Sequence, residues 1–353
     1  MKAYQEAGLR VYLALDIRDQ SQLIFGNDDQ FLGRLPGKLR NQVIENIMAE
    51  TLSLEDFKNV FRELIEDEPA GVNLCFGPPG PHWCSDQILK TLVRMAREYN
   101  RPIFTHLAET ESEYSYGPRY YGESLITHLQ RLGFLDIDLT AAHGVHLKEV
   151  DLDQLGAHGV NLVHNPSSNL RLQSGIAPVS KMRERGINIA LGTDNLSLDD
   201  RDDIWQEMRL ASVLAGLKNE RLDPYYSLQM VTSNGAGLLG RSGELGSIER
   251  GKKADLTLIN LTDNILSSYM RDDVDPVEVL TARCRPRDVE SVVIDGKIVY
   301  NNYEHVSKNR EEIVRKQKEN LEKEYNKSNY HEKKEIIEHL IPYVEEYYSN
   351  PEK

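Results

Sequence analysis

Short apolar runs alternate with amphipathic stretches through the first two thirds of the chain. The runs lie at residues 9–15, 71–77, 102–109, 139–146, 160–165 and 187–194. Each is too short for a buried helix and lacks strict polar alternation, the pattern of a strand covered on both faces. Between them, apolar residues recur at helical spacing over 41–52, 54–65, 86–99, 122–132, 152–158, 178–185 and 204–217. Ser85 stands where an N-cap is needed for the helix beginning at Asp86. Residues 78–86 and 166–175 read as loops, the first stiffened by Pro78, Pro79 and Pro81. About six strands separated by helices predict parallel pairing through right-handed crossovers. That leaves two α/β architectures, a doubly wound sheet or a (β/α)8 barrel. No strand is followed by Gly-x-Gly-x-x-Gly, and no phosphate-binding Gly-x-x-x-x-Gly-Lys-Ser/Thr loop occurs.

The pattern changes at Gly246. Residues 246–260 and 289–300 read as β segments, and Asp295-Gly296 between apolar residues is a hairpin signal. From about 304 the chain becomes mixed-charge and helical, ending in an apolar stripe of Ile336, Ile337, Leu340, Ile341 and Val344. Such a stripe packs on the body of the protein or on a partner. The expected division is an α/β unit at 1–245, a small β unit at 246–302 and a helical tail at 303–353.

The 353 residues suffice for one large domain or two ordinary ones. Acidic residues outnumber basic ones by 56 to 42, which argues against a phosphate backbone as partner. No apolar run is long enough to span a bilayer, and the first ten residues hold no apolar signal core. Cys75, Cys84 and Cys284 are odd in number and form no Cys-x-x-Cys pair, so a reducing cytoplasm is the expected compartment.

Candidate chemistry gathers at the strand ends. The 102–109 run closes on His106 and, three residues later, Glu109; the next runs carry His143, His164 and Asp194 near their carboxyl ends. The plain reading of the first pair is a hydrogen-bonded histidine and a helix-capping glutamate. Four consecutive strands with the same feature change that reading, because parallel strand ends meet at one mouth. Imidazole and carboxylate donors suit Zn²⁺ or Fe²⁺, and such an ion acidifies a bound water. His128 and His146 read as ordinary surface or core residues.

The blocks His106-Leu-Ala-Glu109, Ala142-His143-Gly-Val-His-Leu147, Val163-His-Asn-Pro-Ser-Ser-Asn-Leu170 and Leu191-Gly-Thr-Asp194 resemble the amidohydrolase superfamily. Within it they are most similar to the branch of triazine hydrolases, guanine deaminases and adenosylhomocysteine deaminases. The resemblance runs over about residues 1–302 and includes Gly251-Lys-Lys-Ala-Asp255 of the small β unit; the tail has no counterpart. It implies a (β/α)8 barrel with part of a small β-sandwich domain, and one divalent ion, zinc or iron. His106 and Asp194 would hold that ion. Glu109 would shuttle a proton, His143 would orient water or substrate, and Asp194 would also take a proton from the water. His164 and Asn165 would shape the pocket, and Trp83, after the fourth barrel strand, would stack on a flat heterocycle. The implied reaction removes an amine from an amino-substituted nitrogen heterocycle. Dechlorinating hydrolysis, or a catalytically impaired fragment or binding subunit, are the other readings. Family members carry His-x-His on barrel strand one, and the only histidine before His106 here is His82. The chain is therefore expected to be N-terminally incomplete, with about six barrel strands, and to assemble with itself or with a complementing chain.

Overall fold

A computed structural model describes residues 1–48, 51–195, 202–261, 273–327 and 329–349. Six parallel strands form the main sheet: β1 (Val11–Leu15), β2 (Val72–Phe76), β3 (Ile103–Leu107), β4 (Leu139–His143), β5 (Asn161–His164) and β6 (Ile189–Leu191). Their spatial order is their chain order. Every step between neighbours is a parallel crossover through at least one helix, and an order that never reverses is that of a (β/α) barrel rather than of a doubly wound sheet. Among the described residues β1 and β6 do not pair with one another, so both are edges.

The strands bury their two faces unequally. Val72, Leu74, Ile103, Leu107, Ala141 and Leu162 are buried beneath the helices. Asn73, Phe104, His106, Ala142 and Val163, on the alternate positions, are only half-buried. The sequence predicts burial on both faces; the structure covers one face fully and leaves the face bearing His106 partly open.

Most expected helices are present. Asp86–Tyr99 has the predicted bounds, with Ser85 accepting the Ile88 N–H as its cap. The expected 41–52 helix is Gly37–Asn46, and residues 49 and 50 lie outside the described set. The predicted 122–132 helix is Leu125–Arg131, preceded by an unpredicted helix at Glu111–Tyr121. Gly122, at φ 71°, ends the first, and Ser124 caps the second. Residues 166–175 are a helix in part, Pro166–Arg171; proline suits a first helical turn because its missing N–H would have had no partner there.

A second, antiparallel sheet has the order β10-β9-β8-β7, from β7 (Leu256–Ile259), β8 (Val289–Ile294), β9 (Lys297–Asn301) and β10 (Glu304–His305). The predicted turn joins β8 to β9, with Asp295 and Gly296 both at positive φ. Of the predicted 246–260 segment only β7 is extended. Arg10, just before β1, pairs with Asp255, just before β7, at 2.7 Å and fastens the two sheets together.

The tail packs on the body. Ile336, Leu340 and Tyr347 of the Tyr330–Ser349 helix share a core with Ile24, Phe31, Leu32, Leu35, Leu39 and Val43. Ile337 and Ile341, from the same predicted stripe, remain exposed. Leu340→Ala should cost about 2–5 kcal/mol, read from the urea midpoint at unchanged slope. A midpoint that does not move would mean that this helix is not part of the folded core.

Candidate active site

The site forms at the carboxyl ends of β3 to β6. Register sets Leu107 beside His143 and His106 beside Ala142, and it is the left-handed backbone of His143, at φ 75°, that ends the alternation and lets its ring meet that of His106 from the neighbouring strand. Their rings lie 5.3 Å apart between centroids at an interplanar angle of 27°. Nδ1 of His106 donates to the carbonyl of Pro79, which also accepts the His106 backbone N–H at 3.3 Å. The rigid 78–86 loop thus fixes the His106 tautomer and leaves Nε2 as the basic nitrogen.

His143 is fixed in the same way from the other side. Its Nδ1 donates to Oδ1 of Asn169 at 2.9 Å, and its Nε2 lies 3.8 Å from Oε2 of Glu109. The other Glu109 oxygen accepts the Ser174 hydroxyl at 3.4 Å. Ser168, adjacent to Asn169 on the Pro166–Arg171 helix, donates to Oδ2 of Asp194 at 2.5 Å. Contacts therefore run unbroken from Glu109 through His143, Asn169 and Ser168 to Asp194. Three residues of this rim, Ala108 (φ 50°), His143 (φ 75°) and Asp194 (φ 63°), take left-handed backbone conformations. Residues with a Cβ rarely adopt them, and they concentrate where geometry serves a site. Gly192, two residues before Asp194, has no room for a side chain: a Cβ there would meet Val163 Cγ1 at 2.8 Å.

His164 and Asn165 are buried beneath this rim. Nδ1 of His164, Oδ1 of Asn165 and Nδ2 of Asn169 lack hydrogen-bond partners among the described residues. Burial, with His143 adding to it, pushes the His164 imidazole down to about 4, so it is neutral at neutral pH. Trp83 is half-buried and packs on His82 at 4.3 Å and Phe25 at 5.9 Å, in the same loop whose Pro79 holds His106. His128 is buried, stacks on Tyr121 at 3.6 Å and pairs with Asp86 at 2.7 Å; His146 donates to the Ser174 carbonyl at 2.8 Å.

The geometry adds residues that pattern alone does not single out: Pro79, Ser168, Asn169 and Ser174. The last three lie in the 166–175 stretch read as a loop, where Ser and Asn look like turn formers. Asp16 follows β1 on the same rim, within electrostatic reach of His106.

The donors fit part of a divalent-ion site. A ligand imidazole typically donates its other N–H to a carbonyl or carboxylate, and a ligand carboxylate is itself hydrogen-bonded. His106 and Asp194 meet both conditions. Among the described residues no three His, Cys, Asp or Glu side chains close on one point, whereas catalytic zinc sites use three protein ligands.

The amidohydrolase family profile matches residues 2–299. The chain belongs to the amidohydrolase family. Among similar proteins is the 5-methylthioadenosine/S-adenosylhomocysteine deaminase of Syntrophomonas wolfei, 36% identical over 277 residues, which are 77% of this chain and 63% of that protein. Another is the 5′-deoxyadenosine deaminase of Methanobrevibacter smithii, 30% identical over 91% of this chain and 68% of its own length. This amidohydrolase thus spans under two thirds of the Syntrophomonas relative. An adenosine deaminase from Xanthomonas campestris with bound zinc has a similar structure, with TM-score 0.77, 25% identity, and coverage of 90% of this chain and 67% of that one. The zinc-complexed atrazine chlorohydrolase of Arthrobacter aurescens shares the fold, with TM-score 0.74, 22% identity, and coverage of 89% and 66%. Among the described residues no helix is long and apolar enough to cross a membrane.

Two outcomes follow from this geometry. Nitrogen NMR of the imidazoles should find neutral His143 as the Nδ1–H tautomer, and Asn169→Ala should remove that bias; a mixture of tautomers in the wild type would contradict the Asn169 contact. The unfolded chain protonates His164 near pH 6.5 and the folded protein only near 4, so stability should fall as pH drops through that window. The part of the fall due to His164 should be about 3 kcal/mol, read as the difference in pH dependence between wild type and His164→Asn by denaturant unfolding at pH 7 and pH 4.

Proposed function

We propose that this amidohydrolase is an aminohydrolase that removes ammonia from the purine ring of an adenosine-type nucleoside. The supporting observation is the joined set at the mouth, with Glu109 facing His143 at 3.8 Å and Asp194 tied to the same helical turn. The 30–36% identity to relatives named as deaminases of adenosine derivatives supports the reaction. The atrazine chlorohydrolase, at 22% identity, supports the fold alone, so dechlorination is the weaker reading.

His106 and Asp194 would hold a divalent ion, zinc or iron, with further ligands supplied by a second copy or a complementing chain docked at the open edges of β1 and β6. When bound, the ion supplies the acidity that makes water a nucleophile near neutral pH. Glu109 would take one proton of the water and give it to the ring nitrogen as the oxygen adds to the amino-bearing ring carbon; the second water proton, taken by Asp194, would pass to the amine, the exocyclic C–N bond would break, and ammonia would leave an oxo group in its place. His143, held as the Nδ1–H tautomer, presents a basic Nε2 to the same water and orients it. Asp194, hydrogen-bonded by Ser168, accepts a proton in its turn. His164 and Asn165 are neutral and have polar atoms to offer, which suits an uncharged heterocycle. Trp83 would close the pocket from the 78–86 loop, in reach of a flat ring.

Ammonia release should be measured against a panel of aminopurine nucleosides, aminopterins and aminotriazines, with zinc or iron added. Activity on adenosine derivatives, and a kcat lowered on the order of 10²–10⁴-fold in Glu109→Gln, is the expected result. A metal-loaded protein that releases no ammonia from any member would sink the reading. Elemental analysis should find zinc or iron, with Asp194→Asn lowering the amount bound; full retention of metal in that variant would remove Asp194 from the ligand set.

A further inference from the structure

Glu113 has no part in the chemistry above, yet it is one of the most enclosed charges in the protein, at 2% exposure. It lies in the first turn of the Glu111–Tyr121 helix, which Thr110 caps by accepting the Glu113 N–H at 3.1 Å. Its two carboxylate oxygens turn back on the preceding turn. One accepts the Ala108 N–H at 2.8 Å and the other the Glu109 N–H at 2.7 Å. Ala108 is the residue held at φ 50°, a conformation its own Cβ resists. The peptide between Ala108 and Glu109 decides where the Glu109 side chain leaves the backbone. A single carboxylate therefore holds both N–H groups that define that direction.

The charge on Glu113 has one enclosed partner. Nδ1 of His82 lies 3.6 Å from Oε1 of Glu113, and both side chains are 2% exposed. The His82 ring is packed against Phe25 at 4.5 Å and Trp83 at 4.3 Å. Burial works to raise the Glu113 carboxyl, but His82 and the two backbone N–H groups outweigh it and hold the group below the usual carboxylate range. His82 and Trp83 belong to the same 3-10 turn, Pro81–Trp83, in the loop that also fixes His106. The pair thus joins that loop to the Glu109 turn through the interior.

We propose that Glu113 is the positioning residue of Glu109: as a carboxylate paired with His82 it clamps the Ala108–Glu109 turn and aims the proton carrier at the mouth. This rests on the reading of Glu109 as the proton carrier. The clamp needs two acceptor oxygens. Glutamine has the same shape but offers one acceptor and one donor, so in Glu113→Gln one backbone N–H faces an NH₂ group and loses its partner.

The test uses selectively ¹⁵N-labelled protein and the ammonia assay on adenosine. In the wild type the Ala108 and Glu109 amide protons should resonate at low field, and the Glu113 carboxyl carbon should be at its ionised position at pH 7. In Glu113→Gln at least one of the two amides should move upfield, and kcat should fall about 10²-fold with KM little changed. Unmoved amides, or an unchanged kcat in a folded variant, would overturn the proposal. If Glu113→Gln does not fold, the wild-type spectrum decides: ordinary amide shifts or a protonated Glu113 refute the clamp, and low-field amides with an ionised carboxyl support it. A wild-type protein that releases no ammonia would count against the deaminase reading alone, and the spectra would still decide the clamp.

Discussion

Two adjacent side chains on one short helix hold the mouth of this protein together. Asn169 takes the imidazole N–H of His143, and Ser168 donates to Asp194. A strand end is free to splay once its ladder stops, and the left-handed backbone at His143 and Asp194 makes each of them costly to hold. The Pro166–Arg171 helix offsets that cost from one rigid turn. Its position is fixed by β5, which ends at His164 and runs into it with only Asn165 between. Local chain connectivity therefore becomes registry between groups more than twenty residues apart.

The same logic explains what could be read in the sequence. The six strands and the crossing helices were legible because burial imposes a period on each of them. The places of His106, Glu109, His143 and Asp194 at strand ends were legible because position along each apolar run carries that information. Ser168 and Asn169 were not legible in this way: Pro-Ser-Ser-Asn is good turn chemistry and equally good first-turn helix chemistry, and only the tertiary contact decides between them. Glu113 was hidden for a different reason. A glutamate in the first turn of a helix is ordinary on the surface, and nothing local shows that this one is buried against His82 and the Ala108–Glu109 turn. The half-open face of the sheet was hidden as well, since a strand covered on one face and a strand covered on two can share one composition.

Histidines here divide by what holds them rather than by where they stand in the chain. His106 and His143 each give one ring nitrogen to a fixed acceptor and keep the other basic. His164 is buried without an acceptor for its Nδ1 and stays neutral. His82 faces a buried carboxylate, and His128 is stacked and paired on the outside of the barrel. One residue type thus supplies two tautomer-fixed rings at the mouth, a neutral wall, a neighbour for a buried carboxylate and a structural tie.

The tail helix adds an order of events. The Phe25 N–H donates to Tyr348 Oη at 2.8 Å, across 323 positions of sequence. Closing so long a loop is entropically expensive, and contacts of this separation form late. During synthesis Tyr348 emerges only after every strand of both sheets has left the ribosome. Phe25 rests against His82 and Trp83, so the packing around the Pro81–Trp83 turn is completed only once the tail helix has arrived.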